Sequence, residues 1–343
     1  IIYMSKIIET LLKRKSCLPI WFMRQAGRHL PEFKKIRVKN TDFIKLCLNS
    51  KLSSEITLQP LKRYDLDAAI IFSDILLIPY ALGQKIIFEK KTGPVLSNFN
   101  HSKFITVKKK QFKNKLNPVY QAIDITRKKI GKKKSLICFI GAPWTLIIYM
   151  FSLKKNNDTL DTKKFNIKLP EIRKIIGKLT EFSCEHIKKQ ITAGSDIVQV
   201  FDTWAGLLPK KYIKEFCINP NLEIADFCKK KGIPLICFPK GIKKNYKIFV
   251  NKVKPNGISI DYNINPKWAV LNLKNVCIQG GLDPNMLLGS RKKLMDRVDK
   301  YLNVFSGKPY IFNLGHGILP KTNPKTIHKI INKVRLFNEK RTP

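Results

Sequence analysis

Two arginines, Arg24 and Arg28, flank a short turn that carries Ala26 and Gly27. The turn follows an apolar run, residues 20–23, which we predict to be a buried strand. A planar guanidinium group binds a carboxylate or a phosphate through two hydrogen bonds, so two such groups a few residues apart suit an anionic ligand. A solvated loop after a strand is the alternative, because most arginines lie on protein surfaces.

A carboxylate follows a second apolar run. Asp74 comes after residues 68–72, which we predict to be a strand, and more apolar residues follow it. One interpretation is that Ser73 or Asp74 caps a helix, because short polar side chains accept hydrogen bonds from a helix's first turn. The other is that the carboxylate projects into an apolar site, where it stabilises a cation or accepts N–H groups of a ligand. A charge in such a place needs a partner.

Three more side chains follow predicted strands. Tyr149 lies about one turn into a helix that we predict to begin near Trp144. It is either a phenol that donates to a carboxylate or a core residue of an amphipathic helix. Thr203 follows Asp202 directly after another strand. His316 is flanked by glycines, which permit a close approach of backbone to ligand, although a single histidine is more often structural.

Short apolar runs alternate with helical patterns along the chain. We predict strands at residues 20–23, 68–72, 135–140, 197–201, 235–238, 257–260, 276–279 and 310–313. The helical patterns include residues 55–63, 118–129, 171–193, 210–230, 285–304 and 323–337. Near-continuous apolar strands are typical of parallel sheets covered by helices. We therefore predict a single-domain (β/α)8 barrel over residues 1–343, with a doubly wound open sheet as the alternative.

A barrel would bring the candidate residues together. Side chains of unusual type follow the predicted strands: Arg24, Asp74, Trp144, Asp202, Asp261, Asp283 and His316. In a barrel they share the C-terminal rim, where active sites are built. Asp283 is the exception, since its turn is more typical of a helix cap. We predict that residues 84–117 form a long polar connection with a small hairpin around residues 91–94, and that residues 156–170 form a mobile surface loop.

The chain is strongly basic. Lys and Arg number 66 against 24 Asp and Glu, which gives a net charge of +42. Such a charge is typical of proteins that bind nucleic acid, an anionic membrane or a polyanionic substrate. The lysines are spread along the whole chain and accompany abundant Ile and Asn, which favours compositional drift on solvated faces over a nucleic-acid role. The field would still attract an acidic ligand in a salt-sensitive manner.

The cysteine pattern and the hydropathy indicate a reducing, aqueous compartment. The eight cysteines show no C-x-x-C motif and no zinc-like spacing with histidine, so buried reduced thiols and no metal site are expected. No apolar run approaches the ~20 residues of a membrane span. We therefore expect a soluble cytoplasmic protein, and Met4 is a possible natural start after residues 1–3.

Several segments, in this order along the chain, resemble the uroporphyrinogen decarboxylase family. The resemblance covers about residues 19–320 and is carried by Arg24-Gln25-Ala26-Gly27-Arg28 with Leu30-Pro31-Glu32, by Leu58-Gln59-Pro60-Leu61-Lys62-Arg63-Tyr64, by Ala68-Ala69-Ile70-Ile71-Phe72-Ser73-Asp74-Ile75-Leu76, by Gly141-Ala142-Pro143-Trp144-Thr145 and by Asn313-Leu314-Gly315-His316-Gly317. It implies a cofactor-free (β/α)8 barrel, usually a homodimer. It also implies an enzyme, a carboxy-lyase that converts the four acetate arms of uroporphyrinogen to methyl groups, giving coproporphyrinogen for haem synthesis.

The resemblance also implies roles for the candidate residues. Asp74 would accept hydrogen bonds from the pyrrole N–H groups and stabilise the cation formed when a pyrrole carbon is protonated. Arg24 and Tyr149 would be the two candidate proton donors. Further contacts to the substrate's carboxylate arms are implied for the turn and for polar residues elsewhere on the rim, namely Arg24, Gln25, Ala26, Gly27, Arg28, Arg37, Tyr149, Thr203 and His316. No metal and no prosthetic group are implied.

The chain departs from the family at three places. These are His29 where Tyr is usual, Gly281 where Asn is usual, and the residues after Met150, which lack the usual glycines. Two other functions were weighed. A corrinoid-dependent methyltransferase would need a His-x-Cys zinc motif, and the sequence has none. A nucleic-acid-binding protein would be expected to show a binding motif or a single basic stripe, and neither is visible.

Overall fold

A curled parallel sheet forms the centre of the molecule in the computed structural model, which describes residues 4–89 and 93–340. Its strands and one hairpin, numbered along the chain, are β1 (Ala68–Ile70), β2 (Ile86–Glu89), β3 (Gly93–Leu96), β4 (Ser135–Gly141), β5 (Ile197–Asp202), β6 (Leu235–Pro239), β7 (Gly257–Ile260), β8 (Cys277–Gly280) and β9 (Tyr310–Ile311). The hairpin pairs β2 with β3, and the remaining strands form one seven-stranded parallel sheet in the order β1-β4-β5-β6-β7-β8-β9.

The segment around Ile20 closes this sheet between β9 and β1. Phe312 N–H donates to the carbonyl of Pro19 over 2.8 Å, and Trp21 N–H donates back to Phe312 over 3.3 Å. On the other side, Asp67 N–H donates to the carbonyl of Ile20 over 2.9 Å. The predicted α/β barrel is therefore confirmed, and its first position holds a single parallel bridge at Ile20 in place of a strand.

Side chains explain why two predicted strands are shorter than expected. Phe22 N–H donates to Oε1 of Gln25 and Met23 N–H donates to Oδ1 of Asn313, each over 3.0 Å, so residues 20–23 form no ladder. Phe72 N–H donates to the hydroxyl of Thr57 over 2.8 Å, and β1 ends before it. A backbone donor that is satisfied by a side chain cannot extend a sheet.

Helices surround the sheet and alternate with its strands. They are α1 (Lys6–Ile8), α2 (Pro31–Lys39), α3 (Phe43–Cys47), α4 (Ser50–Arg63), α5 (Leu77–Ala81), α6 (His101–Thr106), α7 (Lys109–Ile130), α8 (Pro143–Met150), α9 (Thr162–Thr192), α10 (Asn219–Lys230), α11 (Tyr246–Val253), α12 (Pro266–Asn272), α13 (Arg291–Val304) and α14 (Pro324–Glu339). Many have the expected start signals. Asp161, for example, caps α9 by accepting from Lys164 N–H over 3.0 Å.

The interpretation of the two polar segments was wrong in part. Residues 84–117 do contain a hairpin, but its tip, residues 90–92, lies outside the described residues. The same segment also holds α6 and the first turns of α7. In the second segment, α9 begins at Thr162 and runs through Pro170, and the buried ring of Phe165 packs against Trp144 at 5.7 Å between centroids. A helix whose buried face continues along its length can include such a polar stretch.

Alternate strand residues fill the barrel interior. Ile197 and Phe201 of β5 point inwards, as do Ile236 and Phe238 of β6. Gln279 of β8 links the walls, since it accepts from Trp21 Nε1 over 2.9 Å and donates to Gln199 over 3.1 Å and to Ser259 over 2.6 Å. The interior is therefore a packed core, as is usual for such barrels.

The N-terminal segment closes the base of the barrel. Ile7 and Leu11 pack against the inward-facing residues. Gly257 at the start of β7 makes room for them, because a β-carbon there would lie 2.8 Å from Cδ2 of Leu11. Among the described residues, no helix is long and apolar enough to cross a membrane. That residues 1–343 form one domain stays a prediction.

Candidate active site

The C-terminal ends of the parallel strands surround an open cleft that we call the mouth. Its polar side chains come from the first segment and from loops after β1, β4, β5, β6 and β9, and they are Arg24, Arg28, Asp74, Tyr149, Thr203, Lys240 and His316. Successive strand residues point to opposite faces, so the inward series Ile197, Gln199, Phe201 continues to Thr203. The structure therefore brings most of the predicted site residues to one end of the barrel.

Arg24 is held in an unusual backbone conformation. Its φ is 62°, in the left-handed region that costs a non-glycine residue roughly 1–2 kcal/mol. Gly27 permits the turn to close, because a β-carbon there would lie 3.2 Å from the carbonyl of Arg24. The side chain crosses Gly317, where a β-carbon would lie 2.6 Å from Cγ of Arg24. The side chain is open to solvent, but the protein around it and the neighbouring Arg28 lower the pKa of its guanidinium.

Asp74 provides the carboxylate of the mouth, and it is half-buried. Its Oδ1 accepts from Leu76 N–H over 2.8 Å, just ahead of α5. Burial raises the pKa of this carboxyl from 3.8 to about 6, although the Leu76 hydrogen bond and the charge of Arg24 oppose the shift. The capping and the ligand-binding interpretations are therefore compatible, since one oxygen caps the turn while the group faces Arg24.

Tyr149 reaches the same place from α8. Its pKa is raised by burial and by the charge of Asp74, whereas the Trp204 side chain and Arg24 lower it. The rings of Tyr149 and Trp204 pack edge to face at 6.3 Å between centroids. Lys154 lies on the loop after α8, and its ammonium is 4.8 Å from the centre of the Trp204 ring. This loop therefore covers the side of the mouth on which the Tyr149 phenol lies.

His316 is a neutral imidazole at the edge of the mouth. Burial lowers its pKa to about 3, and the charges of Arg24 and Lys240 lower it further. It is half-buried, and its ring lies 6.5 Å from that of Phe238. A neutral imidazole offers one N–H donor and one acceptor to a ligand. Among the described residues none hydrogen-bonds to this ring.

The glycines beside His316 are needed for packing within the protein, and a close approach of ligand to them stays a prediction. A β-carbon at Gly315 would lie 3.0 Å from the carbonyl carbon of Asp261 and from the α-carbon of Tyr262. Gly317 makes room for Arg24 in the same way. Both glycines are therefore explained by close packing of protein against protein.

The turn between the two arginines divides into a structural and an open part. Gln25 is 1% exposed, accepts from Phe22 N–H over 3.0 Å and donates to the carbonyl of Ala68 over 2.9 Å. Its predicted contact with substrate therefore gains no support from its side chain. The N–H groups of Ala26, Gly27 and Arg28 have no acceptor within residues 4–89 and 93–340. Three such donors beside two guanidinium groups suit an anion.

Arg37 lies farther from the centre of the mouth. It is half-buried on α2, donates to the carbonyl of Asn40 and lies with its guanidinium carbon 5.7 Å from the centre of the Phe43 ring. Phe43 in turn contacts Phe72 at 5.8 Å between centroids, two residues before Asp74. The side chain is thus near the mouth but already engaged with protein groups.

Several acids and a tryptophan expected on the rim point elsewhere. Asp202 points outwards and accepts from the hydroxyl of Thr145 over 2.7 Å, and Trp144 donates to the carbonyl of Trp204 over 2.9 Å in the helix layer. Asp202 follows the inward-facing Phe201 by one position and so faces the other side of the sheet, whereas Trp144 belongs to α8. Asp283 accepts from Asn285 N–H over 2.9 Å, which confirms the helix-cap interpretation.

Asp261 organises the rim from within the protein. Its Oδ2 accepts from Gly241 N–H over 2.9 Å and from the Tyr246 hydroxyl over 3.1 Å, while its Oδ1 accepts from Asn263 N–H over 3.0 Å. With these donors satisfied, the carboxylate holds the loops after β6 and β7 together.

Lys240 is a mouth residue that the sequence analysis missed. It follows β6, the one predicted strand after which no chemical residue was noted, and it is half-buried. Its pKa is lowered mainly by burial and partly by Arg24. Its position just after a predicted strand could have identified Lys240 as a candidate. Lysine is so frequent in this chain, however, that a single lysine at such a position carried little information.

The prediction that the protein holds no metal has no direct test here. In the part of the chain that the structure describes, His, Cys, Asp and Glu side chains do not gather in groups of three or more that could hold a metal ion. The roles predicted for the residues of the mouth likewise stay predictions. Their positions, however, are consistent with one anionic ligand that spans the rim.

A solved structure with the same fold is the methyltransferase from Methanosarcina mazei. It matches with a TM-score of 0.80 over 97% of this chain and 98% of that chain, at 16% sequence identity. A likeness at this identity establishes the fold alone.

Sequence comparison identifies the family. The family model described as uroporphyrinogen decarboxylase (URO-D) matches residues 8–337. The uroporphyrinogen decarboxylase of Orientia tsutsugamushi (strain Ikeda) is 42% identical over 342 residues, which cover 98% of this chain and 99% of the relative. That of Rickettsia felis is 38% identical over 343 residues, 98% of each chain. The chain therefore belongs to the uroporphyrinogen decarboxylase family.

Proposed function

We propose that this protein decarboxylates the four acetate side chains of uroporphyrinogen III to methyl groups, which gives coproporphyrinogen III in tetrapyrrole synthesis. The observation that carries the proposal is the presence of Asp74 and Arg24 in one mouth, where burial raises the pKa of the carboxyl to about 6. A single carboxylate beside unpaired cations suits a ligand with a cationic transition state and anionic arms. Family membership supports the same reaction.

The anionic arms of the substrate would meet the positive side of the mouth. Arg24 and Arg28 have exposed side chains that form no ion pair within the described residues, and the free N–H groups of residues 26–28 lie between them. We assign these groups to acetate and propionate carboxylates, because guanidinium and backbone N–H groups bind carboxylates with charge-assisted hydrogen bonds. Thr203 and His316 can donate further hydrogen bonds from the rim. Arg37 lies farther from the centre of the mouth, where it could meet an outer arm of the substrate.

The chemistry uses the substrate as its own electron acceptor. Protonation of a pyrrole carbon beside an acetate arm gives a cation, which takes up the electron pair of the breaking C–C bond as CO2 leaves. The methylene carbon is then protonated and becomes a methyl group, and the pyrrole carbon releases the proton that it took up, which restores the aromatic ring. Asp74 accepts hydrogen bonds from the pyrrole N–H groups and stabilises the cation through its charge. The proposed steps need no metal and no cofactor.

Arg24 and Tyr149 are the two candidate proton donors. The surrounding protein and Arg28 lower the pKa of Arg24, whereas burial and Asp74 raise the pKa of Tyr149. A guanidinium and a phenol both carry their proton at neutral pH, so either group can also donate a hydrogen bond to a carboxylate arm. Asp74 also faces both groups, so it can orient either.

The decisive experiment is incubation of the purified protein with uroporphyrinogen under anaerobic, reducing conditions without added cofactor. Products are oxidised to porphyrins and separated by chromatography. We expect hepta-, hexa-, penta- and tetracarboxylate products in sequence. Asp74→Asn is the control, because an amide oxygen still accepts from Leu76 N–H while the charge is lost. Unchanged substrate with the wild-type protein, or full activity with Asp74→Asn, would contradict the proposal.

We further propose that the protein acts as a homodimer in the cytoplasm, as its family membership suggests. Light scattering of the purified protein gives its mass in solution, with 79 kDa, twice the chain mass of 39.6 kDa, expected for the dimer. Cell fractionation tests the location. A single mass near that of one chain at micromolar concentration would contradict the dimer.

A further inference from the structure

We propose that Lys240 is a further substrate-binding residue, which holds a carboxylate arm of the tetrapyrrole at the side of the mouth opposite Arg24. The inference rests on the proposed function and extends it. Sheet order carries the first step. With the Ile20 segment between β9 and β1, β6 is four positions away in a ring of eight. Lys240 after β6 therefore faces Arg24 across the barrel.

The backbone of Lys240 is fixed from both neighbouring strands. Its N–H donates to the carbonyl of Asp202 over 3.1 Å, and its own carbonyl accepts from Gly206 N–H over 2.9 Å. The next residue, Gly241, has a φ of 83° and donates to Asp261 over 2.9 Å. The close approach of Gly206 to Gly241 leaves no room for a side chain at Gly206, where a β-carbon would lie 2.8 Å from the Gly241 carbonyl oxygen.

The direction of the side chain follows from its position beyond β6. Ile236 and Phe238 of β6 both point into the barrel, whereas Cys237 packs in the outer layer. Lys240 follows the end of β6, and its N–H also donates to the carbonyl of Phe238 over 3.0 Å, so it lies directly beyond Phe238. The Phe238 ring is 6.5 Å from that of His316, whose pKa the charge of Lys240 lowers. The ammonium therefore faces the mouth.

The ammonium of Lys240 is available to a ligand. No residue of the described ranges, 4–89 and 93–340, forms an ion pair or a hydrogen bond with it. The two acids near it, Asp261 and Asp158, are engaged elsewhere, since Asp261 accepts three hydrogen bonds and Asp158 is paired with Lys154. Exposed lysines without partners are ordinary in so basic a chain, but a half-buried one is costly unless a ligand supplies the counter-charge.

The ligand class follows from this geometry. Arg24 and Arg28 on one side and Lys240 on the other place fixed positive charges at opposite edges of one cleft. A ligand that satisfies both edges must carry carboxylates on opposite sides of a rigid or cyclic frame, as an octacarboxylate macrocycle does. Lys240 would thus select for substrates that present an acidic arm on the far side from the reacting one.

The test compares Lys240→Met, which keeps the length and loses the charge, with Lys240→Arg, which keeps the charge. Lys229→Met on α10, an exposed lysine at the opposite end of the barrel, is the matched control. For uroporphyrinogen we expect Lys240→Met to raise KM by about 10- to 100-fold with kcat within about threefold of wild type. Lys240→Arg should recover most of the loss, and Lys229→Met should match wild type.

Binding is measured separately with uroporphyrin, the oxidised and unreactive octacarboxylate, by fluorescence at several salt concentrations. The Met variant should bind more weakly and show a shallower salt dependence. Unchanged KM and binding in a folded Lys240→Met, or a loss in kcat alone, would overturn the role of Lys240. If Lys240→Met does not fold, Lys240→Gln takes its place under the same criteria. An inactive wild-type protein would instead overturn the proposed function.

Discussion

The side chain of Arg24 runs directly across the α-carbon of Gly317, so that a β-carbon at Gly317 would lie 2.6 Å from Cγ of the arginine. The two residues are 293 positions apart and come from the first and last parts of the barrel. They are also joined through the backbone, because Ile318 N–H donates to the carbonyl of Met23 over 2.9 Å. The direction of the Arg24 side chain therefore depends on the absence of a side chain at Gly317.

Replacement of Gly317 by Ala should displace Arg24 and leave the fold intact. Real carbon atoms do not approach to 2.6 Å, so the arginine must move by about an ångström, and such a shift can cost roughly 100-fold in rate. We expect kcat/KM for uroporphyrinogen to fall by about that factor while the circular dichroism spectrum is unchanged. Gly177→Ala is the control, because nothing lies within 4 Å of a β-carbon at this position of α9. Equal activity of Gly317→Ala and wild type would contradict the role of the contact.

The activity of the enzyme should depend on the ionisation of Asp74. Because burial raises the pKa of this carboxyl to about 6, kcat/KM should fall as the pH drops below 6, approaching tenfold per pH unit. Asp74→Asn should show low activity without this step. Asp42→Asn serves as the control, since Asp42 caps α3 by accepting from Lys45 N–H over 3.0 Å at the surface. A wild-type profile that is flat between pH 5 and 7 would be inconsistent with Asp74 as the ionised group.

The same residue should lower the stability of the folded protein. The folded pKa, about 6, lies above the ordinary value of 3.8, so the ionised carboxylate is disfavoured in the native state at neutral pH. The free energy of unfolding of Asp74→Asn should exceed that of wild type by up to ~3 kcal/mol above pH 6. This difference should shrink as the pH falls through 6 and disappear below about 4. Denaturant unfolding at pH 7.5 and 4.5 measures it, and a less stable Asn variant at pH 7.5 would refute the prediction.

His29 should cause acid lability. It is 3% exposed, both ring nitrogens lack a hydrogen-bond partner within the described residues, and burial lowers its pKa from 6.5 to about 4. Between pH 6.5 and 4 the unfolded chain therefore binds a proton at His29 that the folded protein does not bind. The free energy of unfolding accordingly falls as the pH is lowered through this range.

His29→Phe removes both the buried nitrogens and this titration. The ring should still stack on Tyr64, whose ring lies 6.5 Å away and nearly parallel. We expect a gain of ~1–3 kcal/mol at pH 7 and a larger gain at pH 5, measured by denaturant unfolding at both values. His328→Phe, at a histidine on the exterior of α14, is the control. A gain that does not grow with acidity would show that His29 is not the titrating group.

Local patterns in the sequence were sufficient to place the inner strands and the chemical residues that follow them. The inward and outward alternation was also implicit in the sequence, yet Asp202 was assigned to the rim because its distance from the strand end was not converted into a direction. Trp144 is a residue of α8, and its indole donates to the carbonyl of Trp204. The reduction of the first strand to a single bridge at Ile20 was beyond prediction. It depends on Asn313, near the far end of the chain, whose Oδ1 accepts from Met23 N–H. The path of the Arg24 side chain likewise depends on the space left at the distant Gly317.

The closed base of the barrel determines how substrate and product must move. Ile7 and Leu11 seal one end, and Gln279, Gln199 and Ser259 fill the shaft with hydrogen-bonded side chains. Substrate and product can therefore enter and leave the barrel only through the mouth. If all four acetate groups of the macrocycle react beside Asp74, as we propose, the macrocycle must rotate between steps. It does so either within the mouth or by leaving through the mouth and binding again. Each decarboxylation also removes one negative charge from the macrocycle, so its electrostatic attraction to the cationic rim becomes weaker with every step.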